Sequence, residues 1–387
     1  MTDDGPLVAA DEGFSHQIVE THAFVGHADQ AWTEKVCAMA AARDGSLQLG
    51  FGVGKYTNRN VFDGYASVSR GKEQWTVRAS RRLANDADAL VAGPVAYEVL
   101  EPYKTVRFAS GAGDGLPFSF EWVFTAATPP VLEARDRTRA RGAYRLDADI
   151  LRYHQVGTAN GWVELDGERT EFDDDTWFST RDHSWGVRHD VGTARTDVEP
   201  SGGLRAGVNF RFAWTPMLLE RPDGARYAIH LQHREFRAFG FEDKRWEGTI
   251  EHADGRVERI HGLRPELRYD AANRRVLGGV FHLTMADGSD RPVAVEAIGD
   301  TGVHLGMGLY FGLDGHHHGE WRGASHVESE HVPDCTDPAA AARIHQIRDA
   351  VMRVDDPVGG GKGWSNLQTT VVGEWPDLGL DASTSFV

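Results

Sequence analysis

The sequence predicts an all-β protein, two tandem antiparallel barrels with one C-terminal helix, and three observations carry that expectation. Apolar residues recur at alternate positions through most of the chain, as on a strand with one buried face. Asp-Gly pairs, which favour tight hairpins, separate the runs at Asp166-Gly167, Asp223-Gly224, Asp254-Gly255, Asp287-Gly288 and Asp314-Gly315. The chain has 387 residues, 44 of them glycine, which is more than one compact domain usually holds.

The runs 94–101, 104–110, 117–126, 150–157, 161–165, 205–214, 226–232, 245–251, 256–261, 278–286, 292–298 and 303–312 read as successive strands of a meander. Segment 28–42 suits a helix by its alanines and an edge strand by its position, and both readings stay open. The C-terminal helix is expected over about 337–353, with Asp337 as N-cap, Pro338 at the first helical position and Ile344, Ile347 and Val351 on one face. No βαβ alternation or GxGxxG appears, and the glycine run at 358–363 lacks the Walker spacing, so it reads as a mobile loop. The polar, turn-rich stretch at 193–203 is the expected boundary between an N-terminal domain at 1–192 and a C-terminal domain at 193–387. Closing each half into a barrel removes exposed strand edges and can enclose one small ligand.

Forty-one Lys and Arg against 58 Asp and Glu give a formal charge of -17, which repels phosphate backbones and anionic lipid, so nucleic acid is not an expected partner. Cys37 and Cys335 alone build neither a disulfide framework nor a thiolate metal site. The acidic N-terminus lacks the apolar core of a secretory signal, and no apolar run approaches bilayer length. A cytoplasmic protein without membrane insertion is expected; a homodimer is left open.

The stretch 176–190 packs two arginines, two histidines, two aspartates and two tryptophans together. On an extended backbone Arg181, His183 and Trp185 share one face, while Asp182, Ser184 and Gly186 share the other. Histidine exchanges protons near neutral pH, so His183 is the expected general acid or base, with Asp182 and Arg181 beside it and Trp185 offering a π face to positive charge. The alternative is a buried hydrogen-bond network pinning a domain junction, with Arg188 and Asp190 as ion-pair members. Aromatic stripes form a second feature: Phe120 and Trp122 in one, Phe210 and Phe212 in another, each filling a core or lining an apolar pocket. In the stretch 314–323, three successive histidines follow a turn and Glu320 and Trp321 begin the next strand; the histidines alternate in direction and cannot share one ion, so no metal is expected. His318 and Glu320 share a face there as acid–base partners, with Trp321 beside them. Tyr56 and Asn58, read as part of a loop over 55–66 that also holds Asn60 and Asp63, are candidate ligand contacts at a barrel mouth.

Residues 153–188, with Asp182-His183-Ser184-Trp185-Gly186 followed by Arg188, resemble the signature of the lipocalin-like hydroxyneurosporene synthase group, which includes carotenoid hydratases and AttH-like proteins; residues 318–323 resemble a C-terminal hairpin of the same group. The resemblance implies two calycin-type barrels, a ligand site at their junction, and cofactor-free acid–base chemistry on apolar unsaturated molecules. His183 and Trp185 match positions implicated in hydration. Where the hydratases carry a Tyr-x-Asp pair, this chain reads Phe210-Arg211-Phe212, so another acid must serve. The expected function is a cofactor-independent lyase, hydratase or isomerase acting on a small hydrophobic aromatic, terpenoid or steroid-like substrate. A non-catalytic carrier of an apolar ligand is the alternative.

Overall fold

The computed structural model describes residues 19–387 except 22, 23, 85, 114, 140–143, 194–196, 200–203, 205, 206 and 239. Most of the expected boundary at 193–203 therefore lies outside the described residues.

Apart from one short helix and a few 3-10 turns, the regular structure of the described residues is antiparallel β, in two sheets. Chain order gives β1 (Trp32–Ala42), β2 (Gln48–Tyr56), β3 (Val61–Arg70), β4 (Glu73–Arg82), β5 (Val91–Ala92), β6 (Val95–Glu101), β7 (Thr105–Ser110), β8 (Phe118–Ala126), β9 (Val131–Leu132), β10 (Asp136–Arg139), β11 (Leu146–Leu165), β12 (Glu168–Phe172) and β13 (Trp177–Val187). The second half follows with β14 (Val208–Glu220), β15 (Arg226–Ala238), β16 (Phe241–His252), β17 (Val257–Arg259), β18 (Gly262–Tyr269), β19 (Val276–Thr284), β20 (Asp290–His304), β21 (Ser325–Val332), α1 (Pro338–Arg343), β22 (Arg348–Asp356) and β23 (Gly361–Val372).

The first sheet runs β21-β4-β3-β2-β1-β13-β11-β8-β7-β6-β5, and the second runs β17-β16-β15-β14-β23-β22-β20-β19-β18. Each curls until its ends meet. In the first, the Arg81 guanidinium on β4 donates to the carbonyls of Asp86, Ala89 and Val91, tying β4 to the β5 end. In the second, the Ile260 amide bonds to Gly248 of β16 and the next amide, His261, bonds to Thr284 of β19. The two barrels change over between Val187 and Val208, but β21 leaves the second half of the chain to pair with β4 of the first.

Aromatic side chains fill the first barrel. Phe51, Phe108, Phe120, Trp122 and Phe124 are all at most 1% exposed, with Phe108 stacked on Trp122 at 4.9 Å. The barrels meet through a dry patch of Ala41, Val156 and Phe178 against Leu218, Ala228 and Val351. Beside it Gln48 and Thr180 of the first barrel bond Asn366 of the second at 2.9 and 2.7 Å.

Several sequence expectations need correction. The helix is six residues long, because His345 and Gln346 take left-handed φ of 66° and 53° and the chain then enters β22. Ile347 and Val351 are four apart, a spacing common to a helix face and a strand face. The runs 150–157 and 161–165 are one continuous strand, β11, and 28–42 resolves as β1. Run 303–312 leaves strand geometry after His304 for a 3-10 turn, followed by left-handed Leu309 and Phe311. The supposed loop at 55–66 is the end of β2, a three-residue turn and the start of β3. The glycine run at 358–363 closes the hairpin between β22 and β23.

Candidate active site

Strand β2 carries glycine at 50, 52 and 54, which leaves the face of the first barrel that looks outward, toward the second half of the chain, without side chains along one strand. Neighbouring strands use the space. Lys35, Gly54 and Asp63 lie in one cross-strand row, and Cys37, Gly52 and Tyr65 in the next. The Tyr65 ring lies across Gly52, where a Cβ would collide with it, and its hydroxyl reaches Cys37 Sγ at 3.3 Å. Tyr56 covers Gly54 in the same way. The chain from Leu305 to Ala324 folds over this trough, and Gly319, at φ 72°, brings its amide to 2.6 Å from Asp63 Oδ2.

The result is a narrow cleft lined by Lys35, Asp63, Tyr65, His317, His318 and Glu320, with about 20 Å³ open to the centre of a water molecule. That is space for about one or two waters. Behind its wall the Tyr56 hydroxyl meets His318 Nδ1 at 3.0 Å, so a carboxylate, a phenol and an imidazole stand in sequence. Burial pushes the Asp63 carboxyl up, although Lys35 and the Gly319 amide partly offset this. Burial, and then the charges of Lys35 and Arg188, hold His318 well below the usual histidine range, so its ring is neutral.

Lys35 is 4% exposed, and its Nζ sits 4.1 Å from the Tyr310 ring centroid with no carboxylate at ion-pair distance among the described residues. Burial lowers its ammonium to about 8, with the charge of Asp63 opposing. The other cations on the cleft wall are already committed: Arg78 pairs with Glu328 and Glu330 at 2.7 and 2.9 Å, and Arg322 pairs with Glu328 at 2.7 Å. Burial pushes the Cys37 thiol up to about 12, which leaves it inert as a nucleophile at neutral pH.

The residues singled out from sequence divide between three places. Arg181, His183 and Trp185 do share one face and Asp182 the other, but the first face looks into the mouth of the first barrel and not into the junction. There His183 bonds Glu34 at 2.9 Å through Nε2 and the Tyr153 hydroxyl at 3.2 Å through Nδ1, and Arg181 reaches the same hydroxyl at 3.4 Å. Trp185 meets the His183 ring edge-on at 5.9 Å. Asp182 faces the junction and pairs with Arg152 at 3.3 Å. His318 and Glu320 line the cleft and Tyr56 stands behind its wall, yet Glu320 bonds His316 at 3.1 Å and not His318 as expected. Trp321, 51% exposed, follows Glu320 in a turn, since the next strand begins only at Ser325.

The remaining candidates lie outside both of these places. Phe120 and Trp122 are core, not ligand contacts. Asn58 spends its amide on the carbonyls of His27 and Asp29 at 2.6 and 2.7 Å, fastening the segment before β1. Phe210 and Phe212 are half-buried on β14, and Phe212 lines a smaller cleft of the second barrel with His233, Leu267 and Tyr269, away from the junction.

Lys35 was the residue the sequence reading passed over. Its signal was available, a lone cation within the apolar run VCAMAAA and its approach, opposite a strand with glycine at every second position.

A second buried polar cluster bridges the barrels. His154 Nδ1 meets Glu133 at 3.1 Å and Nε2 meets Glu251 at 2.7 Å, while His230 Nε2 stands 3.5 Å from Glu133. Glu133, His154 and His230 have the donor types and proximity of a metal site. The ring geometry argues otherwise: the two imidazoles are stacked at 3.7 Å and 22° from parallel, whereas one ion bound by both must lie near both ring planes. Burial alone would strip the proton from His154, but the charge of Glu251 and hydrogen bonds to both carboxylates outweigh it and lift the group to about 10. The cluster is an imidazolium held between carboxylates.

Fold and site together define a tandem antiparallel β-barrel protein with a buried polar cleft over the outer face of its first barrel. The chain belongs to a family of unknown function, DUF8625, whose model matches residues 7–381. Among solved structures it is similar to an AttH-like protein of Nitrosomonas europaea, at 12% identity and TM-score 0.49, covering 88% of this chain and 92% of that one. Kievitone hydratase of Nectria haematococca is similar at 11% identity and TM-score 0.41, covering 90% and 93%. CghA with Sch210972 is similar at 10% identity and TM-score 0.44, covering 88% and 89%. None of the curated proteins compared with the chain matches it. No described helix is long and apolar enough to cross a membrane.

Proposed function

We propose that the protein is a cofactor-independent acid–base enzyme, a hydro-lyase or hydratase, that works on the reacting end of a small hydrophobic molecule in the Lys35–Asp63 cleft. The observation that carries this reading is the single row that sets the Lys35 amine opposite Asp63, with Tyr56 and neutral His318 behind. A carboxyl raised by burial is a proton donor and a neutral imidazole is a proton acceptor, and the two stand at the ends of one hydrogen-bonded series. The water-sized space suits the addition or removal of one water. The exposed indole of Trp321, next in sequence to the lining residues Glu320 and Arg322, offers a surface for the apolar remainder of the substrate.

A second reading places the proton work on the Glu34–His183–Tyr153 relay at the first barrel's mouth, and the 2.9 and 3.2 Å contacts of His183 favour it. The test is incubation of the full chain with small β-hydroxy ketones and the corresponding unsaturated ketones, read by mass for loss or gain of one water. Turnover abolished by Asp63→Asn supports the cleft. Ligands retained tightly and unchanged would make the protein a carrier and overturn the enzymatic reading.

A further inference from the structure

We infer that Lys35 is an imine-forming amine, whose Nζ condenses with the carbonyl of a small aldehyde or ketone in the cleft. The inference rests on the acid–base reading above and adds to it a covalent step and a substrate class.

The geometry is that of a nucleophile and not of a structural cation. Lys72, Lys104 and Lys244 each meet a carboxylate, at 3.8 Å from Asp334, with Glu101, and at 3.1 Å from Glu235. Among the described residues Lys35, Lys55 and Lys362 meet none at ion-pair distance, and of these Lys35 alone is buried, with its Nζ against the Tyr310 ring and its side chain on the cleft wall. A buried ammonium without a counter-ion is disfavoured against the neutral amine, and the neutral amine is the form that attacks carbonyl carbon. The depressed ammonium described above agrees with this placement.

The steps balance with the groups present. The Nζ lone pair forms a C–N bond while the carbonyl π pair moves to oxygen, which takes a proton from the Asp63–Tyr56–His318 relay. The nitrogen then gives up a proton to the relay, the relay returns a proton to the carbinolamine hydroxyl as it leaves as water and the nitrogen lone pair forms the C=N bond, and the iminium N–H proton finally returns to the relay to leave the imine. No oxidant or reductant is consumed, and the released water matches the free space in the cleft.

The experiment is reductive trapping of the full-length protein with acetaldehyde and sodium cyanoborohydride at neutral pH, read by peptide mass. The reagent supplies the hydride that converts the imine to a secondary amine. The chain holds six lysines, so each site is resolved separately. Lys35 is expected to be alkylated at least about tenfold faster than Lys104, whose side chain is 70% exposed, because each unit of pKa depression raises the neutral fraction about tenfold. Alkylation of Lys104 with Lys35 unmodified would overturn the inference, whatever the turnover assays show. Rapid trapping at Lys35 with no slowing in Asp63→Asn keeps the amine and removes the relay, which separates failure of this step from failure of the acid–base reading.

Discussion

Tyr56 and His318 lie 262 positions apart in sequence and 3.0 Å apart in space, and their hydrogen bond joins the end of β2 to the segment that leaves the second barrel. Both are buried, Tyr56 completely, so neither atom has water as a substitute partner. Tyr56→Phe removes the hydroxyl and leaves the His318 nitrogen unpaired. Unfolding in urea should show a loss of about 1–3 kcal/mol. Turnover should fall by about 10²–10⁴-fold if the phenol relays a proton.

His154 gives the pH dependence of stability a defined direction. Its pKa is raised on folding from 6.5 to about 10, so the folded state binds the proton more tightly than the unfolded chain. The resulting stability is complete below pH 6.5 and is lost progressively as pH rises toward about 10. Melting temperature should decline across that window in the native protein, and the decline should flatten in His154→Gln. A native profile that stays level up to pH 10 would show that the imidazole is not held charged.

Asp349 moves stability with pH in the same direction, but by adding a cost as pH rises where His154 loses a gain. Burial, reinforced by the nearby Asp182 charge, pushes its carboxyl from 3.8 up to about 8. The unfolded chain releases this proton first, so the group costs stability increasingly as pH rises from 3.8 to about 8. Asp349→Asn should therefore raise the melting temperature at pH 7 and change it little at pH 4. Equal effects at the two pH values would contradict this.

Trp122 is fully buried in the first barrel with Phe51, Phe108 and Phe120 around it. Trp122→Ala should cost about 3–5 kcal/mol in chemical denaturation, as core truncations of this size do. The Michaelis constant of the protein that remains folded should not change, since the ring touches no cleft.

What the sequence disclosed follows from what is periodic in it. Asp-Gly turns and alternation located three hairpins of the second barrel, β14–β15, β16–β17 and β19–β20, because a strand with one buried face writes its geometry into every second residue. The same alternation placed Arg181, His183 and Trp185 on one face, but period alone does not say whether that face looks into a barrel or out of it. The cleft escaped for that reason: the outward row of Lys35, Gly54 and Asp63 is defined by cross-strand register, and its cover comes from residues 305–324, nearly 250 positions further on. Left-handed Leu309 and Phe311, which turn that cover, carry no glycine to announce them.

The most direct measurement sets the two relays against each other: turnover of one carbonyl substrate by Asp63→Asn and by His183→Ala, with both variants confirmed folded by melting temperature. Asp63→Asn is expected to lower turnover by about 10²–10⁴-fold while His183→Ala keeps most of it. Loss of turnover in His183→Ala with Asp63→Asn intact would contradict the Lys35–Asp63 cleft and move the chemistry to the mouth of the first barrel.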